Sequence, residues 1–131
     1  MIDCLILGDS IAKGVSDIRK ECVAYVKSGI NSTDWNNKYS QNITPAKTTI
    51  ISLGSNDIAS LNTESEIMSL RLQIKEGRVF WILPAIKPNK QNIVREVAKR
   101  FGDTVINITE LSSDKVHPTY HGYKQLGELM K

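Results

Sequence analysis

Much that would assign this chain quickly is missing from it. No apolar run approaches the roughly 20 residues that a membrane-spanning helix needs. The run near the N-terminus has neither the basic flank nor the cleavage site of a secretory signal. It reads as part of the folded protein, and with no export signal or membrane span in view the expected location is the cytoplasm. The 17 lysines and arginines exceed the 14 aspartates and glutamates by a formal charge of +3. They are scattered rather than gathered into a stripe, so no nucleic acid is expected as a partner. Only two cysteines occur, Cys4 and Cys22, at neither metal-ligand nor redox-pair spacing, and neither a metal nor a cofactor is expected. Free buried thiols are the favoured state. The two would lie on neighbouring strands in a sheet of the common order, which leaves a disulfide open, although the lack of an export signal weighs against one. No repeat, linker or low-complexity segment divides the 131 residues, which suffice for one domain, 1–131, with a core that needs no staple.

What is present is an alternation of short apolar runs and helical segments. Ile2, Cys4, Leu5, Ile6 and Leu7 form a near-continuous apolar run, as in a strand covered on both faces of a parallel sheet. The run breaks at Gly8, which allows a tight exit, and Asp9 can hydrogen-bond local backbone. Ser10 then stands at the head of a helical segment, Ile11–Lys20. A hydroxyl there lies beside its own backbone N–H and the positive end of a helix, which suits a nucleophile that must carry a developing oxyanion. Cys22–Val26 reads as a second strand leaving through a turn at Gly29, and Asn31, Ser32 or Thr33 can cap a helix through Trp35 to about Tyr39. Thr48–Leu53, β-branched and set between Pro45 and Gly54, is a third strand.

Thr63 and Glu66 are spaced as a capping box at the start of an amphipathic helix to Lys75. Arg78–Leu83 is a fourth strand, ended by Pro84. A helix over Lys90–Phe101 closes at Gly102, a fifth strand runs from Thr104 to Ile108, and a last helix from Thr119 buries Tyr123, Leu126, Leu129 and Met130. Strands alternating with helices at these spacings predict a three-layer α/β/α domain with a five-stranded parallel sheet and right-handed crossovers.

In such a sheet the loops that follow the strands all emerge at one edge, where ligands bind. Those loops carry Ser10, Gly29, Asn56, Asp114 and His117. A serine that attacks, a histidine that takes its proton and a carboxylate that orients the imidazole are the groups an acyl-transfer site needs. Asp114 and His117 are close enough for one turn to set the carboxylate at Nδ1 while Nε2 points at Ser10. The backbone N–H groups of Ser10 and Gly29 and the Asn56 amide could converge on an oxyanion. Asp9 and Asp57 read as loop braces and Trp81 as core. Trp35 is divided between core and an aromatic platform beside the cleft, and Pro84 to Pro88 are expected to wall it.

These residues carry a resemblance. Gly8, Asp9, Ser10 and Ile11 with Gly14 downstream, a lone glycine at Gly29, then Gly54, Ser55, Asn56 and Asp57, and finally Asp114, Lys115, Val116, His117 and Pro118 fall in the order of the blocks of the SGNH hydrolases, also called GDSL-type esterases and lipases. The fourth position is Ile11 where the family motif has leucine. The resemblance covers nearly the whole chain and implies a flavodoxin-like SGNH hydrolase fold. It also implies Ser10 as nucleophile, His117 as base, Asp114 as its orienting acid, and an oxyanion hole of Ser10, Gly29 and Asn56.

The expected activity is that of a small, metal-independent serine esterase acting through an acyl-enzyme on a small-molecule or carbohydrate ester. The family also includes thioesterases, carbohydrate O-deacetylases and acyltransferases. A polysaccharide or cell-wall O-deacetylase, or a binding module that kept the fold, stand as alternatives. The loops at the rim are brief and polar, with Ser28, Asn31, Ser32, Ser55, Asn62, Asn89, Ser112 and Ser113 among them. They suit a short acyl group and a hydroxyl-rich alcohol better than a fatty chain.

Overall fold

The computed structural model describes residues 1–131. Its elements follow the order β1 (Ile2–Gly8), α1 (Ser10–Ile18), β2 (Val23–Val26), α2 (Ser32–Tyr39), β3 (Ala46–Ser52), α3 (Thr63–Leu72), β4 (Arg78–Ile82), α4 (Pro88–Phe101), β5 (Thr104–Ile106) and α5 (Tyr120–Leu129). All pairings are parallel, in the order β2-β1-β3-β4-β5. This is the expected five-stranded sheet in the flavodoxin-like order. The strand order reverses where β1 lies beside β3, and a crevice opens there beyond the carboxyl ends.

The period of two along the strands sorts their side chains into two cores. Leu5, Leu7, Ile51, Leu53 and Trp81 face α2, α3 and α4, where they meet Trp35, Ile67, Leu70, Val94 and Val97. Ile6, Ile50, Phe80 and Ile82 face α1 and α5, against Ile11, Val15, Leu126 and Met130. Burial of each such Leu or Ile contributes about 1.5–3 kcal/mol, so the central strands are held from both sides.

Tertiary packing corrected several local expectations. Trp35 is fully buried and its Nε1 donates to the Tyr25 carbonyl at 2.9 Å. It is core and offers no platform. Leu129 is 62% exposed, because the stripe of α5 that meets α1 runs through Tyr123, Leu126, Gly127 and Met130 at helical spacing and leaves Leu129 outside it. The residue that caps α3 is Asn62, whose side chain accepts from Ser65 N at 3.1 Å. Thr63 turns inward to Asp57, and Glu66 reaches across to Thr33 and Asn36.

The cysteines give the largest correction. Cys4 and Cys22 are joined in a disulfide, with Cα atoms 4.8 Å apart. Because β1 and β2 pair with Leu5 opposite Val23, the pair one residue earlier is held side by side at the separation a bridge requires. Disulfides persist in oxidising compartments, so this bridge weighs against the cytoplasmic location expected from the sequence. No helix is long and apolar enough to cross a membrane.

Candidate active site

The end of β1 sets the first side chain. Gly8 has φ +142°, and a Cβ there would collide with the Ser52 carbonyl, the group that accepts from Asp9 N at 3.0 Å. Only glycine lets β1 and β3 approach so closely before the chain turns. Asp9 then caps α1, its Oδ1 accepting from Ile11 N at 3.1 Å and from Ser52 Oγ at 3.0 Å. Its Oδ2 is buried without a partner, and burial raises the carboxyl pKa to about 6. Ser10 is thereby fixed as the first residue of the helix.

The opposite wall is a turn between β5 and α5. An isolated antiparallel bridge joins Leu111 to Pro118, Ser112 N donates to the His117 carbonyl at 2.8 Å, and Lys115 takes φ +62° at the tip. Inside this turn Asp114 Oδ1 accepts from the backbone N–H groups of Val116 and His117, each at 2.9 Å, and from Ser112 Oγ at 2.9 Å. Asp114 Oδ2 lies 2.7 Å from His117 Nδ1, and His117 Nε2 lies 2.7 Å from Ser10 Oγ. With its proton on Nδ1 the imidazole donates to Asp114 and accepts from Ser10. The His117 backbone N–H, then its ring, the Val116 N–H and the Ser112 hydroxyl hold the Asp114 carboxyl well below the usual carboxylate range. These contacts favour the ionised form of Asp114 in the folded protein.

A helix contact joins the two walls. Gly14 of α1 faces the ring of Tyr123 on α5 so closely that a Cβ at position 14 would overlap it. Gly14 thus couples the helix that carries Ser10 to the helix that follows His117. The sequence showed Gly14 only as a motif position; its partner is 109 residues away in a different helix, outside the reach of local patterning.

The third side is built on a buried carboxylate. Asp57 accepts from Ser32 N at 2.8 Å, from Ser32 Oγ, and from Thr63 Oγ1 at 2.7 Å, while Lys90 Nζ reaches Thr63 Oγ1 at 3.0 Å. This network ties the start of α2 to the loop after β3 and to α4. It fixes Gly29 and Asn56 relative to one another. Gly29 has φ +79° in an exposed turn, and Asn56 Nδ2 donates to the Ile30 carbonyl at 3.1 Å, which leaves the second N–H of the amide free.

The walls enclose a cleft of about 480 Å³ lined by Ser10, Ile11, Ser28, Gly29, Ser55, Asn56, Val116 and His117. Ser10, Gly29, Asn56 and His117 are thus brought together, with Asp114 behind the imidazole. The Ser55 hydroxyl, buried without a partner, belongs to the same wall. Four of the eight polar loop residues named from the sequence have other roles. Asn31 and Asn62 cap helices, Ser32 is buried on Asp57, and Ser112 holds Asp114. The Pro84 to Pro88 segment does not line the cleft; Pro84 packs behind Gly54, and Lys87 Nζ donates to the Asp57 carbonyl at 3.3 Å. A larger groove of about 530 Å³, between Thr109 and the outer face of α5, carries no nucleophile paired to a base. The one close cluster of metal-ligating types, Cys4, Glu21 and Cys22, has both thiols in the disulfide and lies at the other end of the sheet.

No protein-family model matches the chain, and no curated protein does. Solved structures do. A protein from Bacteroides fragilis assigned as an acylhydrolase superposes with a TM-score of 0.69 at 18% identity, over 97% of this chain and 83% of that one. A protein from Bacteroides uniformis assigned as a GDSL-like lipase gives 0.69 at 11% identity, over 97% and 92%. The C-terminal catalytic domain of a peptidoglycan O-acetyltransferase from Streptococcus pneumoniae gives 0.61 at 16% identity, over 97% and 89%. Likeness at such identities is likeness of fold, and the fold of this chain is the α/β/α fold of the SGNH hydrolases.

Proposed function

We propose that the protein is a serine ester hydrolase in which Ser10 is the nucleophile, His117 the general base and Asp114 the residue that orients it. The observation that carries this reading is the continuous line from Asp114 Oδ2 through the imidazole to Ser10 Oγ, two contacts of 2.7 Å each. Ser10 Oγ attacks the ester carbonyl as its proton passes to His117 Nε2. The negative charge that develops on the carbonyl oxygen meets the N–H groups of Ser10, Gly29 and the Asn56 amide. The imidazolium, stabilised by the ionised Asp114, gives its proton to the leaving alcohol, and a water activated by the same nitrogen releases the acid.

The acyl group is short. Among the cleft residues only Ile11 and Val116 carry hydrophobic side chains, and Ile11 is buried; without long apolar walls the roughly 0.8 kcal/mol that each further buried CH₂ can contribute is not realised. The alcohol is a carbohydrate or similar polyol, matched by the polar remainder of the lining. The family resemblance and the acyltransferase among the structural neighbours support a second reading, in which a sugar hydroxyl replaces water as acceptor. The disulfide supports action in an oxidising compartment.

A fluorophosphonate probe tests the nucleophile directly. Stoichiometric labelling of Ser10, lost in Ser10→Ala, is expected together with hydrolysis of p-nitrophenyl acetate; an unlabelled native protein that turns over no ester would leave a binding module as the better description.

A further inference from the structure

A second groove adjoins the cleft at Gly29. The turn from Lys27 to Ile30 contributes Ser28 and Gly29 to the catalytic cleft and also borders this second groove of about 360 Å³, walled by Lys27, Ser28, Gly29, Asp34, Asn37 and Lys38. Both depressions include Ser28 and Gly29. The two adjoin at these residues, and the second groove is a trough along the exposed face of α2.

The polar groups of this trough are unevenly engaged. The Asp34 carboxylate accepts from Asn31 Nδ2 at 3.2 Å. The Ser28 hydroxyl, the Asn37 amide and the Lys27 ammonium have no hydrogen-bonding partner in the protein, and Lys38 Nζ rests only over the Tyr39 ring, 5.4 Å from its centroid. Two cations thus stand against one occupied carboxylate, beside a free amide and a free hydroxyl. A ligand that carries an anionic group among hydroxyls answers all of them, whereas a neutral alkyl alcohol answers none.

We propose that the trough is a subsite for the leaving alcohol and that it selects a sugar bearing a carboxylate or phosphate. This rests on the reading of Ser10 as an esterase nucleophile. The test compares kcat/KM for acetyl esters of glucose, glucuronic acid and glucose 6-phosphate, in the wild type and in the Lys27→Gln/Lys38→Gln double variant. Two surface charges support a preference of about 5-fold or more for an anionic sugar at low salt, reduced at high salt and brought close to one in the double variant. The two anionic substrates separate carboxylate from phosphate selectivity. Equal kcat/KM on all three sugars, or a preference that survives loss of both lysines, would overturn the proposal. A second measurement is independent of turnover: titration of Ser10→Ala with glucuronate and with glucose 6-phosphate, followed by amide resonances of Ser28, Gly29 and Asn37. Those resonances are expected to move with either or both ligands and to stay still with glucose at the same concentration. Binding without hydrolysis of any ester would refute the esterase reading and uphold the anion subsite; hydrolysis without binding or preference would do the reverse.

Discussion

The two ends of the sheet differ in how completely their buried polar groups are satisfied. At the amino ends of the strands, Arg71 and Asp103 form a buried, two-pronged pair, Nε to Oδ2 at 2.7 Å and Nη2 to Oδ1 at 2.9 Å. Trp81 Nε1 donates to the same carboxylate at 2.9 Å, Arg71 Nη1 donates to the Ile74 carbonyl at 2.9 Å, and the guanidinium lies 4.4 Å from the centre of the Phe101 ring. Every strong donor there has an acceptor. At the carboxyl ends Asp57 is as fully bonded, but Asp9 is buried with one oxygen unpartnered, the Ser55 hydroxyl is an orphan, and the Ser10–His117 pair opens into a cleft. Closed networks rigidify a fold, while unsatisfied groups cost stability and persist where a ligand or a reaction uses them. The closed end is expected to carry stability and the open end activity.

Substitutions that separate the two quantities put that division to the test. The largest effect is expected at the open end: Ser10→Ala or His117→Ala lowers kcat by about 10⁴-fold or more, while urea unfolding midpoints change little because both residues sit on the rim. Ester turnover that survives Ser10→Ala would remove the basis of the proposed mechanism. At the closed end Arg71→Met strands a buried carboxylate and is expected to lower unfolding free energy by about 3–5 kcal/mol, with kcat kept in whatever fraction remains folded. A collapse of kcat in fully folded Arg71→Met would show that the two ends are coupled. Asn56→Ala removes one of the three proposed oxyanion donors and is expected to lower kcat by about 10²–10³-fold with a smaller change in KM; a change confined to KM would mean that Asn56 binds substrate only.

The smallest effect sharpens the comparison through pH. Burial raises the Asp9 carboxyl in the folded state from 3.8 to about 6, so between these values the folded protein holds a proton that the unfolded chain has lost. The stability this supplies is complete below about pH 4 and is lost as pH rises through 6, with a ceiling of about 3 kcal/mol. Asp9→Asn keeps an oxygen for Ile11 N and Ser52 and is expected to flatten this part of the profile. Identical pH profiles for denaturant unfolding of wild type and Asp9→Asn would show that the buried carboxyl does not titrate there.

The sequence was most legible where a residue type and its neighbours settle the outcome together. The alternation of apolar strands and helical segments determined the α/β/α sheet, because parallel strands linked by short crossovers have few other ways to bury both faces. Once that sheet is granted, the loops that carry Ser10, Gly29, Asn56, Asp114 and His117 must share one edge, and the structure gathers all five there. The Asp114 to His117 contact was legible too, since one turn contains it.

Contacts between segments distant in the chain were decided only by the tertiary structure. The Cys4–Cys22 bridge depends on the register of β1 against β2, which no local pattern encodes. Trp35 became core and Leu129 surface through the way α2 and α5 are rotated against their neighbours. Ser32 and Thr63, ordinary capping residues in sequence, are drawn inward by Asp57, which meets them only when the loops after β2 and β3 are folded together. The Gly14 contact with Tyr123 exists because two helices cross the same face of the sheet. Local chemistry set which residues could react; long-range packing set their distances, because a hydrogen bond of 2.7 Å between Ser10 and His117, 107 positions apart, is formed only after both cores have closed.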